Sequence, residues 1–93
     1  MPTFNVLIAT QFNDIADAAR SEITDRLGEH GFEAIPTIDG MWEMACDAED
    51  ETDAKDTAIE KFVNVCRTYP FELRLVVQCG SSQIVRRRKQ FEP

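Results

Sequence analysis

Between Phe4 and Ala9 the residues Phe4, Val6 and Ile8 fall on one side of an extended chain, while Leu7 and Ala9 keep the other side largely apolar. Such a strand wants cover on both faces. From about 14 to 29 the period lengthens. Ile15, Ala16, Ala19, Ile23 and Leu27 share one helical stripe, with Arg20, Glu22, Asp25 and Arg26 mainly outside it. Asn13 is placed to cap that helix, and Gly31 after His30 to end it in a left-handed turn. Phe32 to Ile38 predicts a second strand, Asp39-Gly40 a turn, and Met41 to Cys46 a third strand in which Trp42, Met44 and Cys46 alternate. That is a hairpin signal. Pro36 removes a ladder donor, so the second strand belongs at a sheet edge.

Asp47 to Asp53 reads as a polar loop, with Thr52 or Asp53 capping a second helix over about 53 to 68. Ala58, Ile59, Phe62, Val65, Cys66 and Tyr69 recur there at helical spacing until Pro70 stops it. Phe71, Leu73, Leu75, Val77 and Cys79 then alternate with Glu72, Arg74 and Gln78, giving a strand with one dry face and one mostly wet face. Gly80-Ser81-Ser82 turns the chain into Gln83 to Phe91, expected to be an edge strand because it carries cations on both faces.

The order of elements is strand, helix, strand, strand, helix, strand, with one further strand appended. Two interlocked split β-α-β units of this kind define an α+β fold, the ferredoxin-like plait, with an antiparallel sheet and two helices on one face. The first and third strands are central in it and the second lies at an edge, where Pro36 is tolerated. Residues 1 to 93 make one such domain.

Length and composition narrow the function. A chain of 93 residues, 43% of them hydrophobic, has material for one modest core but not for a core plus a deep catalytic cavity. No stretch approaches the ~20 apolar residues of a membrane span, and the start Met1-Pro2-Thr3-Phe4 carries no signal pattern. The expectation is a cytoplasmic protein with no membrane association. Cys46, Cys66 and Cys79 are too far apart for a zinc ribbon or a redox pair, His30 is the single histidine, and Ser81 and Ser82 have no second histidine to activate them. The thiols are expected to be reduced and buried. No cofactor, metal site or catalytic residue is indicated by these motifs.

Charge is the least ordinary feature. Of 17 acidic residues, nine fall between 39 and 60, namely Asp39, Glu43, Asp47, Glu49, Asp50, Glu51, Asp53, Asp56 and Glu60, against Lys55 alone, and the net charge of the whole chain is −7. Carboxylates at a helix start are favoured by the helix dipole and by solvation. Held on a folded edge, Asp39, Glu43, Asp47, Glu49, Asp50, Glu51, Asp53 and Asp56 could also stand in for nucleic-acid phosphates and occupy a basic groove of a partner. An EF-hand register is missing. Arg86, Arg87, Arg88 and Lys89 form the opposite pole and could contact phosphates. Edge protection and attraction to the acidic segment explain the same run, and the overall negative charge weighs against direct nucleic-acid binding.

The topology and length, with the hairpin Gly31-Phe32-Glu33-Ala34-Ile35-Pro36-Thr37-Ile38-Asp39-Gly40-Met41-Trp42 and the terminal hairpin, resemble the small Cas2-like group of ferredoxin-like proteins, which includes the VapD-type and GhoS-type endoribonucleases. The resemblance implies a homodimer that exchanges terminal strands, and RNA cleavage. The group's acidic residue near the end of the first strand is replaced here by Ala9-Thr10-Gln11, and Asp14, its nearest substitute, falls in what is expected to be the first helical turn.

Two functional expectations result. The first is a small non-catalytic binding module or inhibitor of the kind that phages and mobile elements direct against host defence nucleases, an anti-CRISPR protein for example, with a carboxylate-rich edge that blocks a basic, nucleic-acid-binding surface. The second is an endoribonuclease or antitoxin acting on RNA through Asp14 and the arginine run.

Overall fold

The computed structural model describes residues 1 to 92. The first apolar alternation builds β1 (Thr3–Asn13), which is longer than its apolar run predicts. Phe12 extends it because its ring packs 5.2 Å from Phe71 and 6.4 Å from Phe62, and Asn13 because its side-chain amide donates to Glu72 at 2.9 Å. After α1 (Asp17–Glu29) come β2 (Glu33–Ala34), β3 (Met41–Asp47), α2 (Glu51–Cys66) and β4 (Glu72–Gly80). The strands lie in the order β2-β3-β1-β4, and each neighbouring pair is antiparallel. This is the ferredoxin-like plait, with β1 and β3 central.

Pro36 stands just outside an edge strand of only two residues, so the expected strand over 32 to 38 is shorter than the hairpin pattern implies. The Ile35 N–H still bonds the Met41 carbonyl at 2.9 Å, and the proline and the turn that follows it take residues 36 to 40 out of the ladder. Gly40 is the fixed point of that loop. Its φ is +78°, and its carbonyl accepts from both the backbone N–H and the hydroxyl of Thr10, each at 2.7 Å.

Helix α1 starts later than expected, at Asp17 with Ala16 as an N-cap that makes no side-chain bond. Asn13 is still in β1, and Asp14 occupies the connecting turn at φ 60° rather than a helical turn. The end of α1 follows the sequence closely. His30 is the C-cap and Gly31 takes φ +89°. The Phe32 N–H bonds the Leu27 carbonyl at 3.0 Å and the Gly31 N–H bonds that of Gly28 at 3.3 Å. These two bonds with the buried Leu27 and Phe32 make a Schellman motif.

Both helices cover one face of the sheet. Val6 and Ile8 of β1 and Trp42, Met44 and Cys46 of β3 meet Ile23 and Leu27 of α1 and Ala54, Ala58, Phe62 and Val65 of α2 in one buried cluster. The small residues Ala54 and Ala58 let α2 approach the strands closely, and Phe62 fills the space between the layers. Cys46 and Cys66 are buried free thiols and Cys79 is half-buried. Burial pushes the Cys66 thiol from its ordinary 9.0 up to about 11, with the Arg26 charge opposing the shift.

The appended strand does not form. Residues 83 to 92 take up no regular structure, because cations on consecutive positions leave no apolar side to lay against a core. The tail instead crosses the sheet face that the helices leave open, with the Asn5 amide donating to the Ser82 carbonyl at 2.9 Å.

Two outcomes test this packing. A Cβ added at Gly40 would lie 2.5 Å from the Thr10 carbonyl oxygen on a left-handed backbone, so Gly40→Ala is expected to lower unfolding free energy by about 2 kcal/mol or more. Unchanged denaturant midpoints would refute that. For Cys66, the native thiol holds its proton above the pH at which the unfolded thiol loses it. Stability is therefore intact below pH 9.0 and falls as pH rises toward about 11, by at most ~1.4 kcal/mol per unit. Cys66→Ala is expected to flatten that slope in denaturant unfolding.

Candidate functional site

The acidic stretch that is continuous in sequence is divided by the fold into separate places. Asp39 belongs to the loop that leads into β3, whereas Asp47 ends that strand. The length of β3 alone, at about 3.3 Å per extended residue, puts roughly 20 Å between them. Glu43 lies between them on the open sheet face, since it pairs with Leu7 and the helix-facing alternates are Trp42 and Met44. Asp56 and Glu60 are exposed farther along α2. The structure brings together Asp47, Glu49, Asp50, Glu51 and Asp53, at the β3–α2 junction.

That junction is ordered by its own carboxylates. Asp50 is the N-cap of α2, its side chain accepting from the Asp53 N–H at 2.8 Å, and Asp53 in turn accepts from the Glu49 N–H at 3.2 Å. The helix therefore begins two or three residues earlier than a cap at Thr52 or Asp53 would set it. Asp47 accepts from the Thr3 hydroxyl, which ties the junction to the start of β1, and the Ala48 N–H donates to the Pro2 carbonyl at 3.1 Å. All five acidic side chains belong to exposed residues. The ion pairs among the described residues are formed by Glu33, Glu43 and Glu72, so none of these five has a cationic partner there. The positive end of the α2 dipole is what offsets their repulsion.

Arg86 meets a different fate from its neighbours. Glu33 of β2 and Glu43 of β3 are directly opposed across the ladder, an arrangement that by itself is repulsive. The Arg86 guanidinium bridges them, at 3.0 Å and 3.3 Å from the two Glu43 oxygens and 3.4 Å from Glu33. Partial burial works against its charge, and the bonds and charges of Glu43 and Glu33 outweigh that, so its pKa is raised. Attraction to the acidic segment thus accounts for Arg86. Arg87, Arg88 and Lys89 are exposed and form no ion pair among the described residues.

Asp14, the substitute for the acidic residue of the Cas2-like group, is exposed in the β1–α1 turn. Its nearest chain neighbours in that turn, Ile15 and Ala16, offer no second carboxylate or imidazole. Among the described residues no three His, Cys, Asp or Glu side chains converge in a way that could hold a metal ion. No helix there is long and apolar enough to cross a membrane. Trp42 is a core residue, 6% exposed, with its ring 6.0 Å from that of Phe62.

One concave feature was not legible as a motif. A cleft of ≈ 590 Å³ opens between the end of β1, α1 and the 35–40 loop, lined among others by Phe12, Arg20, Ile35, Pro36, Met41 and Trp42. These residues come from four separate stretches of chain, and the only sequence signal was an arginine facing away from the apolar stripe of the first helix.

Comparison with protein-family models, with curated proteins and with solved structures gives no match for this chain. The geometry of the acidic junction and the basic tail is therefore the basis for a functional reading.

The cap itself can be tested apart from any partner. Asp50→Ala is expected to destabilise the fold by about 1 kcal/mol, whereas Asp50→Asn, which can accept the same bond, is expected to stay within a few tenths of a kcal/mol. Equal loss in the two variants, read by thermal or urea unfolding, would mean that charge rather than the Asp53 N–H bond holds the helix start.

Proposed function

We propose that this protein is a small non-catalytic binding module that presents the acidic β3–α2 junction to a basic surface of a partner, and that the partner is a nucleic-acid-binding protein or complex whose phosphate-contacting groove the carboxylates occupy. The observation that carries this reading is that the Asp47, Asp50 and Asp53 side chains are fixed by hydrogen bonds at one junction with Glu49 and Glu51 beside them, yet none of the five pairs with a cation among the described residues. A partly ordered, unpaired group of anions loses less entropy on docking and gains from replacing the counter-ions of a cationic groove. Inhibitors that phages and mobile elements use against defence nucleases, anti-CRISPR proteins among them, would be served by this chemistry. The other residues of the acidic segment contribute unequally: Asp56 extends the junction along α2, Asp39 is at the far end of the sheet, and Glu43 is already occupied by Arg86.

A second reading has one observation in its favour. Arg87, Arg88 and Lys89 are exposed and uncompensated, and such a run can contact RNA phosphates, as an RNase or antitoxin of the Cas2-like kind would require. Glu33 and Glu43 take up one cation of the run, and Asp14 belongs to no cluster of three or more His, Cys, Asp or Glu side chains among the described residues, so the first reading is the better supported.

The experiment is a capture from the native host with the wild-type chain and with a variant carrying Asp47→Asn, Glu49→Gln, Asp50→Asn, Glu51→Gln and Asp53→Asn. Asn preserves the cap, so the variant is expected to remain folded while binding falls at least about tenfold and the wild-type complex weakens with salt. Equal capture by both chains would end the proposal. Recovery of free RNA, lost on changing Arg87, Arg88 and Lys89 to Ala, would establish the second reading in its place.

A further inference from the structure

The cleft between the end of β1, α1 and the 35–40 loop lies at the opposite end of the sheet from the acidic junction, and its chemistry is different. Its volume of ≈ 590 Å³ is within the range of about 300–1,000 Å³ typical of small-molecule sites. Phe12, Ile35, Pro36, Met41 and Trp42 supply the apolar half of its lining, and Arg20 is the one basic residue in it. The Gly40–Thr10 bonds pin the loop at the base of the cleft, so the concavity is built into the fold rather than left between mobile segments.

Two groups in its walls have unused donors. Arg20 is positioned by Phe12 alone: its Nη2 donates to the Phe12 carbonyl at 3.3 Å and its Cζ lies 5.4 Å from the centroid of the Phe12 ring. No carboxylate pairs with it among the described residues, in a chain where acids outnumber bases. The remaining N–H groups of a planar fork held by stacking suit a carboxylate in two-point contact. The indole Nε1 of Trp42 is the buried side-chain polar atom without a hydrogen-bond partner among the described residues. A buried donor left unmade is costly, and the Trp42 side chain that carries it also borders the cleft.

We propose that this cleft binds a small organic monocarboxylate with an apolar body. The carboxylate sits on the Arg20 guanidinium, and the apolar part lies against Ile35, Met41 and Trp42. Asp39 on the same loop and the overall charge of −7 select against polyanions such as nucleotides. A metal cation is disfavoured by Arg20 and by the presence of a single carboxylate, Asp39, in the lining. The inference does not depend on the acidic junction, and either can fail without the other.

Trp42 is the only tryptophan, so its emission reports occupancy of the cleft directly. The probes are phenylacetate and hexanoate, each compared with its neutral amide, titrated into the full chain. The expected result is a saturable emission change with a dissociation constant of about 1 mM or tighter for the carboxylates, and binding about tenfold weaker for the amides. Arg20→Gln, an exposed position whose replacement should leave the core intact, is expected to erase the preference for carboxylate. Arg67→Gln, outside the cleft, is expected to retain it. Absence of saturation, equal binding of acid and amide, or an undiminished preference in Arg20→Gln would each overturn the proposal.

Discussion

The ring of Phe62 is the contact through which the two layers of this protein are fixed to each other. It is fully buried on α2 and meets the rings of Phe12 from β1, Phe32 from the connection after α1, and Trp42 from β3, at centroid distances of 6.4, 5.3 and 6.0 Å. Edge-to-face aromatic contacts of this kind are directional as well as apolar, so they set the rotation of the helix as well as its depth. Ala54 and Ala58, two turns and one turn before Phe62, allow the helix to lie close enough for those contacts. Once α2 is placed in this way, its first turn must project at the end of the sheet where β1 begins and β3 ends. The position of the acidic junction is thus a consequence of core packing about three turns away. The same contact holds one face of Trp42 and so shapes the wall of the cleft at the opposite end.

Charge segregation in the sequence becomes a division of labour in the fold. Carboxylates on the open face are neutralised within the chain, where Arg86 joins the opposed Glu33 and Glu43. Those at the helix start are ordered through backbone N–H bonds and the helix dipole, which fix their positions without cancelling their charge. This difference, invisible in a count of acidic residues, separates the carboxylates paired within the chain from those that keep their charge unpaired.

Most of the architecture could be read from the chain because local signals agreed with one another. Pro36 placed β2 at an edge, Gly31 marked the left-handed end of α1, Pro70 stopped the second helical pattern, and the period-two runs gave β3 and β4 nearly to their ends. The errors fall where a local signal was ambiguous or a distant one decided. Asp47, Asp50, Thr52 and Asp53 can all cap a helix, and only the bond from the Asp53 N–H selects Asp50. The final residues of β1 are held by Phe71 and Glu72, nearly sixty positions away. The tail over Gln83 to Phe91 reads as an edge strand with cations on both faces, but an edge strand with no dry side gains little by pairing, and residues 83 to 92 form none. The acidic segment was treated as one surface, yet along an extended strand neighbours in sequence separate by more than 3 Å per residue. The cleft could not be foreseen at all, since its lining is assembled from several non-contiguous stretches.

The path of the last residues ties the two borders of the sheet together. The tail leaves β4 at one border, passes over β1 at Asn5, and anchors through Arg86 on β3 and on β2 at the other. With only two residues in its ladder, β2 has little else on that face to oppose the electrostatic strain between Glu33 and Glu43. The chain terminus therefore behaves as a built-in counter-ion for its shortest strand, and whatever lifts the tail would loosen the sheet at the border farthest from the point where the tail begins.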